Sequence, residues 1–210
     1  ITFDGIYTGY LASIEQCEQV CRFFDRFSTG DNLVLVDPAM ADNGKLYAAF
    51  GPDFPEAMKK VCAKADVIVP NITEASLLTG MPYRTEYDES YIHELLERLL
   101  ELGCGTAALT GVSYEPGKLG VAYLDRSGKE FSYFTRKCEQ SYHGTGDLYA
   151  STVVGGLMRG MELGDALALA ADFVVECIEA TARSASARWY GVEFEPQIPR
   201  LCRMLEERLG

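Results

Sequence analysis

Hydrophobic positions along the chain alternate between two rhythms, short strand-like runs and longer helical stripes. Ile1 to Tyr7 alternates as a strand does. Ser13 can cap a helix in which Cys17, Val20, Cys21, Phe24 and Phe27 recur at helical spacing, with Gly30 as its stop. Leu33 to Val36 is continuously apolar, the pattern of a parallel strand buried on both faces, and it ends in Asp37-Pro38. Ala39 to Phe50 reads as a loop containing Asp42-Asn43-Gly44-Lys45. A helix is predicted from Asp53 to Ala65 with Phe54, Met58, Val61 and Cys62 inward, then a buried strand from Asp66 to Val69. Pro70-Asn71 ends that strand, and Thr73 can cap a short helix that runs through Leu78 and stops at Gly80. Ile92, Leu95, Leu96, Leu99 and Leu100 make one stripe on a helix from Tyr91 to Leu102. Thr106 to Leu109 is a strand ending at Thr110-Gly111. Leu119 to Leu124 and Glu130 to Phe134 alternate on either side of Asp125-Arg126-Ser127-Gly128, a hairpin signal. Helices follow from Thr145 to Arg159, Asp165 to Arg183 and Pro199 to Leu209.

Strands alternating with helices, then a hairpin, then helices, predict an α/β fold with a mainly parallel sheet and an antiparallel edge. No repeat or linker divides the 210 residues, so a single domain over 1–210 is expected. The chain opens inside the alternating stretch without a methionine, and further residues upstream are expected.

Composition narrows the partners. The net charge of -12 disfavours nucleic acid, whose binding needs basic stripes, but leaves room for a nucleotide held by local dipoles. No apolar run reaches the ~18 residues of a membrane span. The seven cysteines have no CxxC or zinc-like spacing, which suits reduced thiols in a cytoplasmic protein.

Four places carry candidate chemistry, each at a strand's carboxyl end or a helix start, where open α/β sheets gather ligands. Asp37 and Glu74 are carboxylates able to hold Mg²⁺ directly or through water. Asn71 and Glu74 equally suit simple helix capping, and Asp37-Pro38 is also a common strand exit. Thr110-Gly111 offers a hydroxyl and backbone N–H to phosphates. Gly144-Thr145-Gly146-Asp147 opens a helix, so its N–H groups can face a developing anion while Asp147 takes a proton from an attacking hydroxyl. The bland alternative makes Asp147 a charge complement to the helix dipole.

In this order these motifs resemble the ribokinase-like superfamily of ATP-dependent small-molecule kinases. Gly9-Tyr10-Leu11-Ala12-Ser13, Val36-Asp37-Pro38-Ala39-Met40-Ala41-Asp42-Asn43-Gly44-Lys45-Leu46-Tyr47, Pro70-Asn71-Ile72-Thr73-Glu74 and Gly144-Thr145-Gly146-Asp147-Leu148 are similar to those of pyridoxal/pyridoxine/pyridoxamine (vitamin B6) kinases. Related hydroxymethylpyrimidine kinases usually carry Cys at the Asp147 position. The resemblance implies a three-layer α/β/α fold, ATP with Mg²⁺ (and a monovalent cation such as K⁺), a B6 vitamer as substrate and a homodimer. It implies Asp147 as the base acting on the 5′-hydroxymethyl group, and Gly144, Thr145 and Gly146 as the anion hole. Glu74 and Asp37 fall on the metal and phosphate side. Thr110 falls beside ATP phosphates, and Tyr10 beside the pyridine ring. Gly111 replaces a second hydroxyl common in the family, and Ala39 and Ala41 replace Val and Gly. The family also carries an earlier strand–helix–strand region that supplies part of the vitamer pocket, so these 210 residues alone are expected not to turn over. Alternatives are a kinase for hydroxymethylpyrimidine or a sugar, and a non-catalytic nucleotide or vitamer sensor. His143 and Tyr142 suit packing as well as ligand contact, His93 suits a solvent-facing position, and Lys118 and Arg136 are candidate charges for ATP. Trp189 to Phe194 reads as a loop of unassigned role.

Overall fold

The computed structural model describes residues 1–184 and 191–210. Its elements are β1 (Gly5–Thr8), α1 (Ile14–Phe27), β2 (Leu33–Val36), β3 (Ala41–Asp42), β4 (Lys45–Leu46), α2 (Phe54–Cys62), β5 (Val67–Ile68), α3 (Ile72–Thr79), α4 (Glu89–Leu100), β6 (Thr106–Val112), β7 (Lys118–Asp125), β8 (Glu130–Arg136), α5 (Thr145–Met158), α6 (Leu163–Arg183) and α7 (Ile198–Leu209). Six strands form one sheet in the order β1-β2-β5-β6-β7-β8, and β3 and β4 form a separate ribbon. β1, β2, β5 and β6 run parallel, in registers such as Ile6 against Val34, Val36 against Ile68 and Ile68 against Ala107. The mainly parallel sheet with a hairpin edge is therefore as the sequence pattern predicts.

The chain divides into two units, Ile1–Tyr114 with Ala122–Phe131, and Glu115–Val121 with Ser132–Gly210. In the first unit Val34, Leu35 and Val36 are fully buried, as a continuous apolar strand requires, since a parallel strand is covered on both faces. α1 packs on α2, and α3 and α4 pack on each other and on β6. Tyr91, Ile92, Leu95, Leu96 and Leu99 of α4 are buried, and each such side chain contributes about 1.5–3 kcal/mol of transfer free energy. In the second unit α5 packs along α6, and α6 meets α7. The α6 stripe Leu167, Leu169, Ala170, Phe173 and Cys177 is buried there.

Four local expectations change. β1 starts at Gly5 rather than Ile1, and Phe3 instead packs its ring on Phe23 and Phe27 of α1 at 5.7 and 5.6 Å. α1 keeps its Ser13 cap, whose hydroxyl oxygen accepts from Gln16 N, but it ends at Phe27 with Ser28 extended, so Gly30 is not its stop. α3 is capped by Asn71, not Thr73. The stretch Ala39 to Phe50 contains the β3–β4 hairpin, with Asn43 and Gly44 both at positive φ in the manner of a type I′ turn.

Candidate functional site

In the first unit the carboxyl ends of β1, β2, β5 and β6 carry most of the predicted residues. Asp37 directly follows β2, and its N–H donates to the carbonyl of Thr8 at the end of β1. Asp37 and Glu74 are both buried, at 8% and 2% exposure. Asn71 and Glu74 form a capping box: Asn71 Oδ1 accepts from Glu74 N, and Glu74 Oε2 accepts from Asn71 N at 2.8 Å. The other carboxylate oxygen, Oε1, accepts from Met40 N at 3.0 Å and Ala41 N at 3.4 Å. Asn71 Nδ2 donates to the carbonyl of Ala41, and Thr73 Oγ1 accepts from Gly44 N. The first turn of α3 thus straps the 40–44 stretch down. Capping is realised, and the same groups brace the loop that follows Asp37.

Burial, and after it the nearby Asp37 charge, raise the pKa of Glu74 to about 8 against the opposing pull of the N–H donors of Asn71, Met40 and Ala41. Thr110 pairs with Asn71 across a parallel bridge; its N–H and its hydroxyl both donate to the carbonyl of Pro70. Gly111 follows at φ 74° and is exposed. Tyr10, two residues beyond β1, is 51% exposed.

Gly144 to Asp147 belong to the second unit. Gly144 has φ 81° and no side-chain cap, so the chain enters α5 through a left-handed residue that glycine adopts at no steric cost. Thr145 Oγ1 donates to the carbonyl of Tyr142, and Asp147 lies exposed in the first turn of α5. A helix start of this form concentrates partial positive charge, and a carboxylate in that turn stands beside it.

The remaining candidates find other partners. Lys118 pairs with Glu115 at 2.8 Å and Arg136 with Glu179. His93 is half-exposed between Glu97 and Glu130, at 3.5 and 3.4 Å. The His143 carbonyl accepts from Val192 N, and Glu193 N donates to Thr181 Oγ1. Trp189 and Tyr190 lie outside the described residues.

The oxygen donors in the first unit suit a hard divalent cation. Asp37 and Glu74 supply two carboxylates, and no group of three or more His, Cys, Asp or Glu ligands occurs among the described residues. Mg²⁺ is commonly held by one or two carboxylates and retains several waters. Thr8 Oγ1 is buried without a hydrogen-bond partner among the described residues, next to the backbone that holds Asp37. It is a further oxygen able to meet a bound water or phosphate, and sequence reading missed it because a strand-end threonine looks like any other.

A profile of the phosphomethylpyrimidine kinase family matches residues 1–189. The chain belongs to this family. Hydroxymethylpyrimidine/phosphomethylpyrimidine kinase of Bacillus subtilis is 27% identical over 180 residues, 85% of this chain and 64% of that protein. The chain therefore spans somewhat under two thirds of that relative's length. A Bacteroides thetaiotaomicron protein assigned as a phosphomethylpyrimidine kinase, crystallised in one form with pyridoxal, is 33% identical with a TM-score of 0.89. The match covers 96% of this chain and 72% of that one. Pyridoxal kinase from Lactobacillus plantarum is 31% identical with a TM-score of 0.87, over 99% of this chain and 73% of that one. The fold is ribokinase-like, and the names of the chain's relatives divide between pyrimidine and pyridoxal kinases.

Proposed function

We propose that the chain is part of a kinase that transfers the γ-phosphoryl group of ATP to the hydroxymethyl group of a six-membered nitrogen heterocycle, and that this heterocycle is a B6 vitamer. The observation that carries the reading is the start of α5: a left-handed Gly144, an exposed Asp147 in the first turn, and N–H groups free of side-chain caps. In this reading Asp147 accepts the hydroxyl proton as the new O–P bond forms and the bond to the ADP leaving group breaks. The N–H groups of Gly144, Thr145 and Gly146 stabilise the negative charge that develops on the transferring group. Asp37 and Glu74 hold Mg²⁺, Thr110 and Gly111 face the phosphates, and Tyr10 packs beside the heterocycle. Bound Mg²⁺ supplies charge neutralisation for the phosphates. The reading carries with it a homodimer and a reducing cytoplasm, in which seven unbonded thiols are at home.

Asp147, where hydroxymethylpyrimidine kinases usually carry Cys, favours the vitamer. The Bacillus relative favours the second reading, phosphorylation of hydroxymethylpyrimidine. A turnover panel of pyridoxal, pyridoxine, pyridoxamine, hydroxymethylpyrimidine and ribose with ATP separates the two. Preference for a vitamer supports the first, and preference for the pyrimidine replaces it with the second. In the full-length protein, binding of ATP and pyridoxal without transfer makes the protein a sensor. In an active preparation, Asp147→Asn should lower kcat by about 10²–10⁴-fold and leave ATP affinity within a few-fold. Near-normal turnover removes Asp147 from the mechanism.

A further inference from the structure

Tyr10 does not stand alone. Its ring lies 5.4 Å from that of Phe50, tilted by 35°. Phe50 in turn stacks on Phe54 at 3.8 Å and 13°. Phe54 is 2% exposed and opens α2 ahead of the buried Pro55, so the base of the stack is fixed in the core. The backbone between them is held by successive turns: Tyr47 N donates to Met40 O, Phe50 N to Tyr47 O and Phe54 N to Gly51 O. Tyr47, 40% exposed, lies 6.3 Å from Phe50. The order of burial runs outward from Phe54 through the half-buried Phe50 to the exposed Tyr10.

We propose that Phe50 sets the pose of the Tyr10 ring, and through it the selectivity of the ring side of the site for flat heteroaromatic substrates. The inference rests on the ring-side role of Tyr10 in the proposed function. Aromatic rings prefer offset or tilted partners, and such a pair adds attraction beyond the area it buries. A Tyr10 ring braced from behind presents a defined π face to a pyridine or pyrimidine ring. A sugar has no π face to meet it. Phe50 is a positioning residue here, acting through Tyr10 and not on the phosphoryl group.

The test uses Phe50→Leu, which keeps an apolar side chain, and Phe50→Tyr, which keeps the ring. Calorimetry reads binding of pyridoxine, hydroxymethylpyrimidine and ADP to the full chain, with thermal midpoints measured alongside. Phe50→Leu should weaken both heterocycles by about three- to tenfold while ADP affinity stays within twofold, and Phe50→Tyr should restore them. In an active preparation the loss appears in KM more than in kcat. Unchanged heterocycle affinity in Phe50→Leu overturns the inference while leaving the proposed function standing. An equal loss for ADP also overturns it, because the defect is then general. A wild-type full-length protein that binds neither heterocycle removes the proposed function and this inference together.

Discussion

Glu74 offers the sharpest physical test because its environment makes two opposed demands. Burial and the Asp37 charge favour the neutral acid, while three N–H donors favour the carboxylate, and the first pair wins, holding the pKa at about 8. A carboxyl whose folded pKa exceeds its unfolded value binds more protons folded than unfolded between the two values. Its stabilising contribution is complete below the ordinary carboxylate range, is lost as pH rises through about 8, and is constant above that. One proton corresponds to at most about 1.4 kcal/mol per pH unit, or about 3–5 °C in midpoint for a chain of this size. Glu74→Gln cannot titrate, and its amide NH₂ must face one of the backbone N–H groups that the carboxylate oxygens now satisfy. It should therefore be less stable than wild type at pH 5 by about 1–3 kcal/mol, with the gap closing as pH rises and changing sign by about pH 8, because the wild type loses up to about 1.4 kcal/mol per unit on the way. Circular-dichroism melts from pH 5 to 8.5 in EDTA read this directly. Asp37→Asn should move the wild-type slope to lower pH by removing the second cause of the shift. Parallel curves for wild type and Glu74→Gln over the whole range would refute the reasoning.

Two further perturbations test other parts of the structure. Gly44→Ala should cost about 1–2 kcal/mol in urea denaturation, because Gly44 sits at φ 77° and an added Cβ would meet the Tyr83 ring at 2.8 Å; unchanged stability would dissociate the hairpin from the fold. At pH 8 a thiol-reactive disulfide should label the exposed Cys202 first, while Cys17, Cys62, Cys104 and Cys177 react only on unfolding. Burial lifts the last four thiols, Cys17 and Cys104 to about 11, Cys177 to about 12 and Cys62 well above the usual range, so peptide mapping that finds Cys62 or Cys177 labelled at the Cys202 rate would contradict the core described.

Elements whose residues answer to one demand were legible in the sequence. The runs Leu33–Val36 and Ala107–Leu109 are apolar because both faces are covered, and α4 shows its stripe because only one face is. Ile1–Phe3 misled for the same reason: an alternating pattern records which side chains seek apolar contact, and Phe3 satisfies that demand on α1 without joining a ladder. Thr73 could cap a helix by type, but Asn71 with Glu74 three residues on completes a reciprocal box, which leaves the Thr73 hydroxyl oxygen to accept from Gly44. The ring stack under Tyr10 was invisible because Phe50 and Phe54 are distant from it in sequence and carry no motif.

The first unit also shows why single roles are a poor description of its acidic residue. Glu74 Oε1 accepts from Met40 N, the Met40 carbonyl accepts from Tyr47 N, and the Tyr47 carbonyl accepts from Phe50 N, whose ring meets Tyr10. A group read from the sequence as a metal ligand is thus the anchor of the backbone that carries the aromatic stack. Its carboxylate oxygens are already engaged by N–H donors, so a cation meets it most readily through water, on lone pairs the backbone leaves open. On the proposed reading, removing this carboxylate disturbs metal side and ring side at once. A loss of heterocycle affinity in a Glu74 variant is therefore not evidence of direct contact. The comparison with Phe50→Leu, which leaves the carboxylate in place, is what separates the two effects.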